Sequence, residues 1–168
     1  MGFKKTSDLI AISFGLAELG PNTFIQDEVS LQLNVLNNEI FVVLAADLDV
    51  AAPDALAGVD TSTRASITAT TSAIVSSLNN TNCIASSRDD IQAAGFVDGG
   101  VGFSRGAMST YEGDLGWIAL IATNNFFVQL QGTANATPKA ATGRVWGYRA
   151  RADASTYAAL VQSEVLSA

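Results

Sequence analysis

The chain contains no histidine and one cysteine, Cys83. Without histidine there is no nucleophile–His pair and no His-bearing zinc site. One thiol leaves no intramolecular disulfide, so the fold needs no oxidising compartment. Positive charge is also scarce: nine Lys+Arg stand against sixteen Asp+Glu, a formal net charge of -7 at pH 7. Such a field repels polyanions and argues against a protein whose main task is to coat phosphates. No apolar run reaches the roughly 20 residues of a membrane-spanning helix. The longest, Leu9 to Ala17, is about half that.

What is present points to one ordered domain over residues 1–168. Hydrophobic residues make up 48% and charged residues 15%, with a mean hydropathy of +0.27, which lies on the folded side of the disorder boundary. A chain of 168 residues buries roughly 70% of its extended surface without staples. Met1-Gly2-Phe3-Lys4-Lys5 followed by an apolar run imitates a signal peptide, but Asp8 borders that run and Glu18 follows with no small-residue cleavage site. Gly2 and Thr6 also fit the myristoylation spacing. Both are read as an ordinary exposed N-terminus.

Period-two alternation dominates. Val29, Leu31, Leu33 and Val35 form one strand, Asn37-Asn38 a turn, and Ile40, Val42, Leu44, Ala46, Leu48 and Val50 the apolar face of a second, so the two read as a hairpin. Arg64 to Leu78, rich in Thr, Ser, Ile and Val, reads as a third long strand. Ser86 or Ser87 is placed to cap a short helix through Arg88–Ala94 that stops at Gly95. Gly95 to Gly106 reads as a loop or a bent edge strand. Trp117–Ala122 and Phe126–Gln131 flank Asn124-Asn125 as a further hairpin, with Phe126, Val128 and Leu130 on one side. Arg144–Arg151 is the last strand, with Trp146 and Tyr148 on one face and Arg149 and Arg151 on the other. Asp153 or Ser155 then caps a terminal helix carrying Tyr157, Leu160, Val161, Glu164 and Val165 at helical spacing. The expected fold is therefore mainly β: an antiparallel β-sandwich, jelly-roll or immunoglobulin-like, with one short helix and a C-terminal helix.

The chemical motifs are weak. Gly102-Phe103-Ser104-Arg105-Gly106 spells a nucleophile elbow, but no histidine can serve it and the three lysines are Lys4, Lys5 and Lys139. Asp98-Gly99-Gly100-Val101-Gly102 has no phosphate-binding lysine behind it. Asp47 and Asp49 share a strand face at a spacing that could clasp Ca²⁺, with Asp27, Glu28 or Asp54 as further oxygen ligands; the alternative is a solvated acidic face. Asp89-Asp90 is read as a favourable pair in a helix first turn. Asn79-Asn80-Thr81 and Asn135-Ala136-Thr137 are glycosylation sequons only for a secreted chain. Arg144, Arg149 and Arg151, interleaved with Trp146 and Tyr148, form either a single-strand nucleic-acid platform or a protein interface; the acidic background favours the interface. With Tyr157, Leu160, Val161 and Val165 of the terminal helix these residues are the expected subunit interface. No catalytic, cofactor-binding or metal-binding residue is assigned, and the chain is not read as an enzyme.

The alternating runs, the abundance of Ala, Thr, Ser and Asn, the segment Ile118 to Gln131, and the ending Gly143-Arg144-Val145-Trp146-Gly147-Tyr148-Arg149-Ala150-Arg151 followed by a helix resemble small coat proteins of tailless viruses. The resemblance implies a β-sandwich capsid subunit that self-assembles by symmetric contacts into a large homo-oligomer and resides in the virion, assembled in the host cytoplasm, beside other virion proteins. Since only Lys4 and Lys5 stand where such proteins often carry a basic arm, direct nucleic-acid binding is expected to be slight. The competing reading is a non-catalytic ligand- or carbohydrate-binding β-sandwich module.

Overall fold

A computed structural model describes residues 2–95, the backbone of Phe103–Met108, and residues 116–168. Among these residues ten strands build two antiparallel sheets: β1 (Phe3–Lys5), β2 (Ile10–Ala17), β3 (Ile25–Ser30), β4 (Glu39–Val50), β5 (Thr61–Thr68), β6 (Cys83–Gln92), β7 (Phe103–Met108), β8 (Ala119–Ile121), β9 (Asn125–Thr133) and β10 (Ala140–Ala152). One helix, α1 (Ala154–Leu166), closes the chain. Sheet A runs β1-β10-β4-β8, with β2 on the same edge of β10 as β1; sheet B runs β3-β9-β5-β6-β7. The pairings β2·β10, β3·β9, β4·β8 and β5·β6 are nested, as in a ribbon folded in half. Successive pairs of the ribbon alternate between the sheets and are stitched by β10·β4 and β9·β5. That is jelly-roll topology, and the immunoglobulin-like alternative falls away.

Between the sheets lies a core of Phe41, Val43, Leu48, Ala65, Ile67, Phe126, Val128, Leu130 and Val145, with Phe14 edge-on to Phe126 at 5.9 Å between ring centroids. Phe126, Val128 and Leu130 share the buried face as their alternation requires. β4 does not keep one phase. Leu44 is left unpaired where Ala45 faces Trp146 and Val43 faces Gly147, and this bulge inverts the alternation. Phe41 and Val43 before it, and Ala46, Leu48 and Val50 after it, all point to the core, whereas Ile40 and Val42 point outward beneath α1.

Several local expectations are corrected. Val29–Val35 and Ile40–Val50 do not form a hairpin: β3 ends at Ser30 and joins sheet B, while β4 lies in sheet A. Leu31 and Leu33 are buried, but their amides donate to the backbone carbonyl and side-chain oxygen of Asn124. Trp117–Ala122 and Phe126–Gln131 likewise separate, β8 pairing with β4 and β9 with β3 and β5. The third strand is β5, ending at Thr68; residues 69–82 fold back over the outside of sheet B, where the Ser76 amide donates to Ser66 Oγ at 2.9 Å and the Ser72 amide to Gln26 Oε1 at 2.9 Å. The short helix over Arg88–Ala94 is absent, because Arg88–Gln92 continue β6, bonded to β5 on one side and β7 on the other. Two flanking strands satisfy the backbone there better than one isolated helical turn would. The terminal helix is present, and Asp153 is its cap, accepting from the Thr156 amide at 2.7 Å.

Candidate interaction surface

β10, in the middle of sheet A, places its side chains alternately. Val145 and Gly147 face the core; Arg144, Trp146 and Tyr148 face outward. α1 divides that outer face. Its residues Tyr157, Leu160 and Val161 pack on Ile40, Val42, Ala122, Tyr148, Ala150 and Ala152, so the helix docks on its own sheet and these aromatics and aliphatics are used within the chain. Lys5 Nζ lies 5.0 Å from the centre of the Tyr148 ring. Val165 and Leu166 at the end of α1 remain exposed, at 62% and 76%.

Among the described residues nothing packs over the other half of the outer face. Register sets three rows across β2, β10 and β4: Gly15–Thr142–Asp49, Ser13–Arg144–Asp47 and Ala11–Trp146–Ala45. Arg144 leans toward β2, donating from Nε to Ser13 Oγ at 3.1 Å, with its guanidinium 5.7 Å from the Trp146 ring centre. Among the described residues no ion pair joins it to Asp47, its cross-strand neighbour. These side chains line a shallow depression of about 390 Å³. The other two arginines are placed differently. Arg149 is half-buried, donating from Nη2 to the Leu31 carbonyl at 3.0 Å, with Nε 3.4 Å from Glu39 Oε1; it struts sheet A against the chain leaving β3. Arg151 is exposed, opposite Lys4 and Glu39.

The acidic residues do not gather into a metal centre. Asp27 and Glu28 lie on β3 in sheet B, and no group of three metal-ligating side chains occurs among the described residues. Asp54 takes Lys139 Nζ at 2.6 Å and the amides of Ala136 and Thr137 at 2.9 Å each. The Lys139 ammonium, with help from Thr137, holds the Asp54 carboxyl well below the usual carboxylate range. Asn135 ties the same loops, accepting from the Asp54 amide and donating to the Ser62 carbonyl, while Glu18 accepts from the amides of Gly132 and Lys139. Lys139 is thus structural. Asp90 bonds to Arg88 on β6 rather than capping a helix. Gly102 and the run Asp98–Gly102 lie outside the described residues, and of Ser104 only the backbone is described, opposite Ile91.

A second concavity, about 370 Å³, runs between α1 and the start of β6, lined by Cys83, Ile84, Trp117, Ile118, Leu160 and Glu164. Glu164, at 6% exposure, is part of the helix's docked stripe. Its Oε1 accepts from the Ala122 amide at 2.8 Å and its Oε2 from the Thr123 amide at 3.2 Å, satisfying the turn between β8 and β9. Burial pushes its carboxyl up from 4.5, against those two bonds. Burial also pushes the Cys83 thiol up, which leaves it a poor nucleophile. Because the folded chain then holds the Glu164 proton more tightly than the unfolded chain, its contribution to stability is greatest below pH 4.5 and is lost as pH rises through the raised value. In Glu164→Gln that dependence is absent. The stability of the parent relative to Glu164→Gln is therefore expected to fall as pH rises above 4.5 and through the raised value, as urea midpoints at several pH values would reveal; a constant difference would contradict it.

No protein-family model, no curated protein and no solved structure matches the chain. No described helix is long and apolar enough to cross a membrane.

Proposed function

We propose that this chain is a structural self-assembling subunit, a coat protein that tiles a viral shell through symmetric contacts between copies. The observation that carries the reading is the apolar character of one end of the jelly roll. Val35 and Leu36 lie between β3 and β4, Ile74 and Leu78 between β5 and β6, and Val165 and Leu166 at the end of α1; each is more than half exposed, Leu36 at 95%. Hydrogen bonds bring these segments together. Leu31 donates to the Asn124 carbonyl, Asn82 Nδ2 to the Glu164 carbonyl, and Glu164 holds the turn between β8 and β9. Six large apolar side chains on one end of a small domain suit burial between copies rather than life as a monomer.

The rigid two-sheet frame supports the same reading, since tiling needs surfaces fixed relative to one another. The net charge of -7 makes genome contact slight, so the partner of the subunit is foremost itself, then other virion proteins, and its place is the virion. Contacts of this apolar kind resist salt. Size-exclusion chromatography with light scattering at about 0.05 M and 1 M NaCl should give the same large species in both. Replacing Leu36 and Leu166 with Ser should shift that species toward the monomer while the far-UV circular dichroism spectrum of the folded domain is kept. A parent chain that is monomeric at both salts contradicts the proposal, as does an assembly that dissolves at moderate salt with the fold intact.

A further inference from the structure

We propose that the open half of the outer face of sheet A binds a neutral, polyhydroxylated ligand, a saccharide ring seated across β2, β10 and β4. This goes beyond the assembly reading and does not depend on it, since the apolar end and this face are different surfaces.

The argument starts from unused hydrogen-bonding capacity. Asp47 and Asp49 stand two residues apart on β4, about 7 Å along the strand, and both point outward in the rows shared with Arg144 and Thr142. Arg144 sits directly across from Asp47, yet turns away to Ser13 and Trp146. Acceptors on β4 and donors on β10 therefore face the same depression without closing on each other. Hydroxyl groups of Ser13 and Thr142 border it, each able to donate or accept. Trp146, between Ala11 and Ala45 and with the Arg144 guanidinium over its ring, is still only half-buried, so part of the indole borders the depression. An amphipathic ring left partly open beside a polar row costs solvation in the free protein unless a ligand covers it.

The mixture of charges selects the class of ligand. An anion reaching Arg144 meets two carboxylates; a cation reaching the carboxylates meets the guanidinium. A neutral ligand with several hydroxyls meets neither penalty, because each hydroxyl can donate to a carboxylate and accept from Arg144. A pyranose adds an apolar C–H face that can lie on the indole. The depression, about 390 Å³, falls within the size range of small-molecule sites, and its open shape suits weak, reversible capture of a sugar presented on a larger glycan.

Saturation-transfer NMR on the purified parent tests this with methyl glycosides of glucose, galactose, mannose and N-acetylglucosamine as probes, and glucuronate and glucosamine as charged controls. At least one neutral glycoside should receive saturation on its ring C–H protons and bind about tenfold more tightly than either charged sugar. Trp146→Ala, and separately Asp47→Asn with Asp49→Asn, should each lose that binding by about tenfold or more, while Asp8→Asn, remote from the depression, keeps it. Circular dichroism and light scattering on the same samples separate a lost site from a lost fold or lost assembly. The proposal is overturned if no neutral glycoside binds, if binding survives the Trp146 and Asp47/Asp49 replacements, or if a charged sugar binds best.

Discussion

A chain ending at Ala152 is expected to precipitate, or to melt more than about 10 °C below the parent. Without α1, Ile40, Val42, Ala122, Ala150 and Ala152 lose the cover that Tyr157, Leu160 and Val161 give the outer face of sheet A. Tyr157, Leu160 and Val161 are partly buried, so each contributes at most about 1.5 kcal/mol, and together their loss removes a large part of the roughly 5–15 kcal/mol that holds an ordinary domain. The amides of Ala122 and Thr123 lose their carboxylate at the same time, leaving the turn between β8 and β9 without an acceptor. Differential scanning calorimetry of the truncated chain is the check. A soluble, cooperative transition at the parent midpoint would mean that α1 decorates the sheet without holding it.

The second large effect is expected at Gly147, opposite the bulge in β4. A Cβ built there meets the carbonyl oxygen of Val42 and the ring of Phe41 at 2.6 Å, closer than real side-chain carbons approach. The obstacle is largely backbone and core, so neither can swing aside. Gly147→Val should therefore cost about 3 kcal/mol or more in urea unfolding, with the bulge displaced or β10 shifted in register. Gly15 is the internal comparison: a Cβ there meets only Thr142 Cγ2 at 3.6 Å and the Ala141 carbonyl at 3.7 Å. Gly15→Ala should be neutral, or stabilising by up to about 1 kcal/mol, because glycine is a poor strand residue. Equal effects at the two sites would show that the tight approach across the bulge is unimportant.

Faces were easier to read from the residues than partners. Phe126, Val128 and Leu130 announce their buried side by alternation, as do Trp146 and Tyr148 against Arg149 and Arg151, because the pleat has period two whatever the strand pairs with. Pairing is another matter. In the nested ribbon, β2 bonds to β10 from the opposite end of the chain, whereas proximity in sequence suggested hairpins at Asn37-Asn38 and Asn124-Asn125. The first is a 3-10 turn, Val35–Asn37, leading from sheet B into sheet A, and the second leads from sheet A into sheet B. Ser86 to Ala94 carried helix-capping chemistry, but Arg88 and Asp90 two apart are also a same-face pair on a strand, and β5 and β7 on either side decided between the two.

The surface divided along similar lines. Glu164 fell on the apolar stripe of α1 seven residues after Tyr157, so its burial was legible; the amides that receive it were not, since they come from a turn some 40 residues earlier. Arg144 and Trp146 were legible as members of one strand that interleaves arginine with aromatics, yet their association with Asp47 and Asp49 needs the register of β10 on β4. Tyr148, Tyr157, Leu160 and Val161, expected between subunits, are partly buried against the cluster between α1 and its own sheet. This shifts the weight of any contact between copies to the loops around Leu36, Ile74 and Leu78 and to the tip of α1.

Electron microscopy of the purified full chain tests the central claim most directly. The proposal requires closed particles of uniform diameter, with the jelly roll repeated by symmetry and the end bearing Val35, Leu36, Ile74, Leu78, Val165 and Leu166 buried between copies. A field of dispersed monomers, or aggregates without symmetry in which that end remains open to solvent, would contradict it.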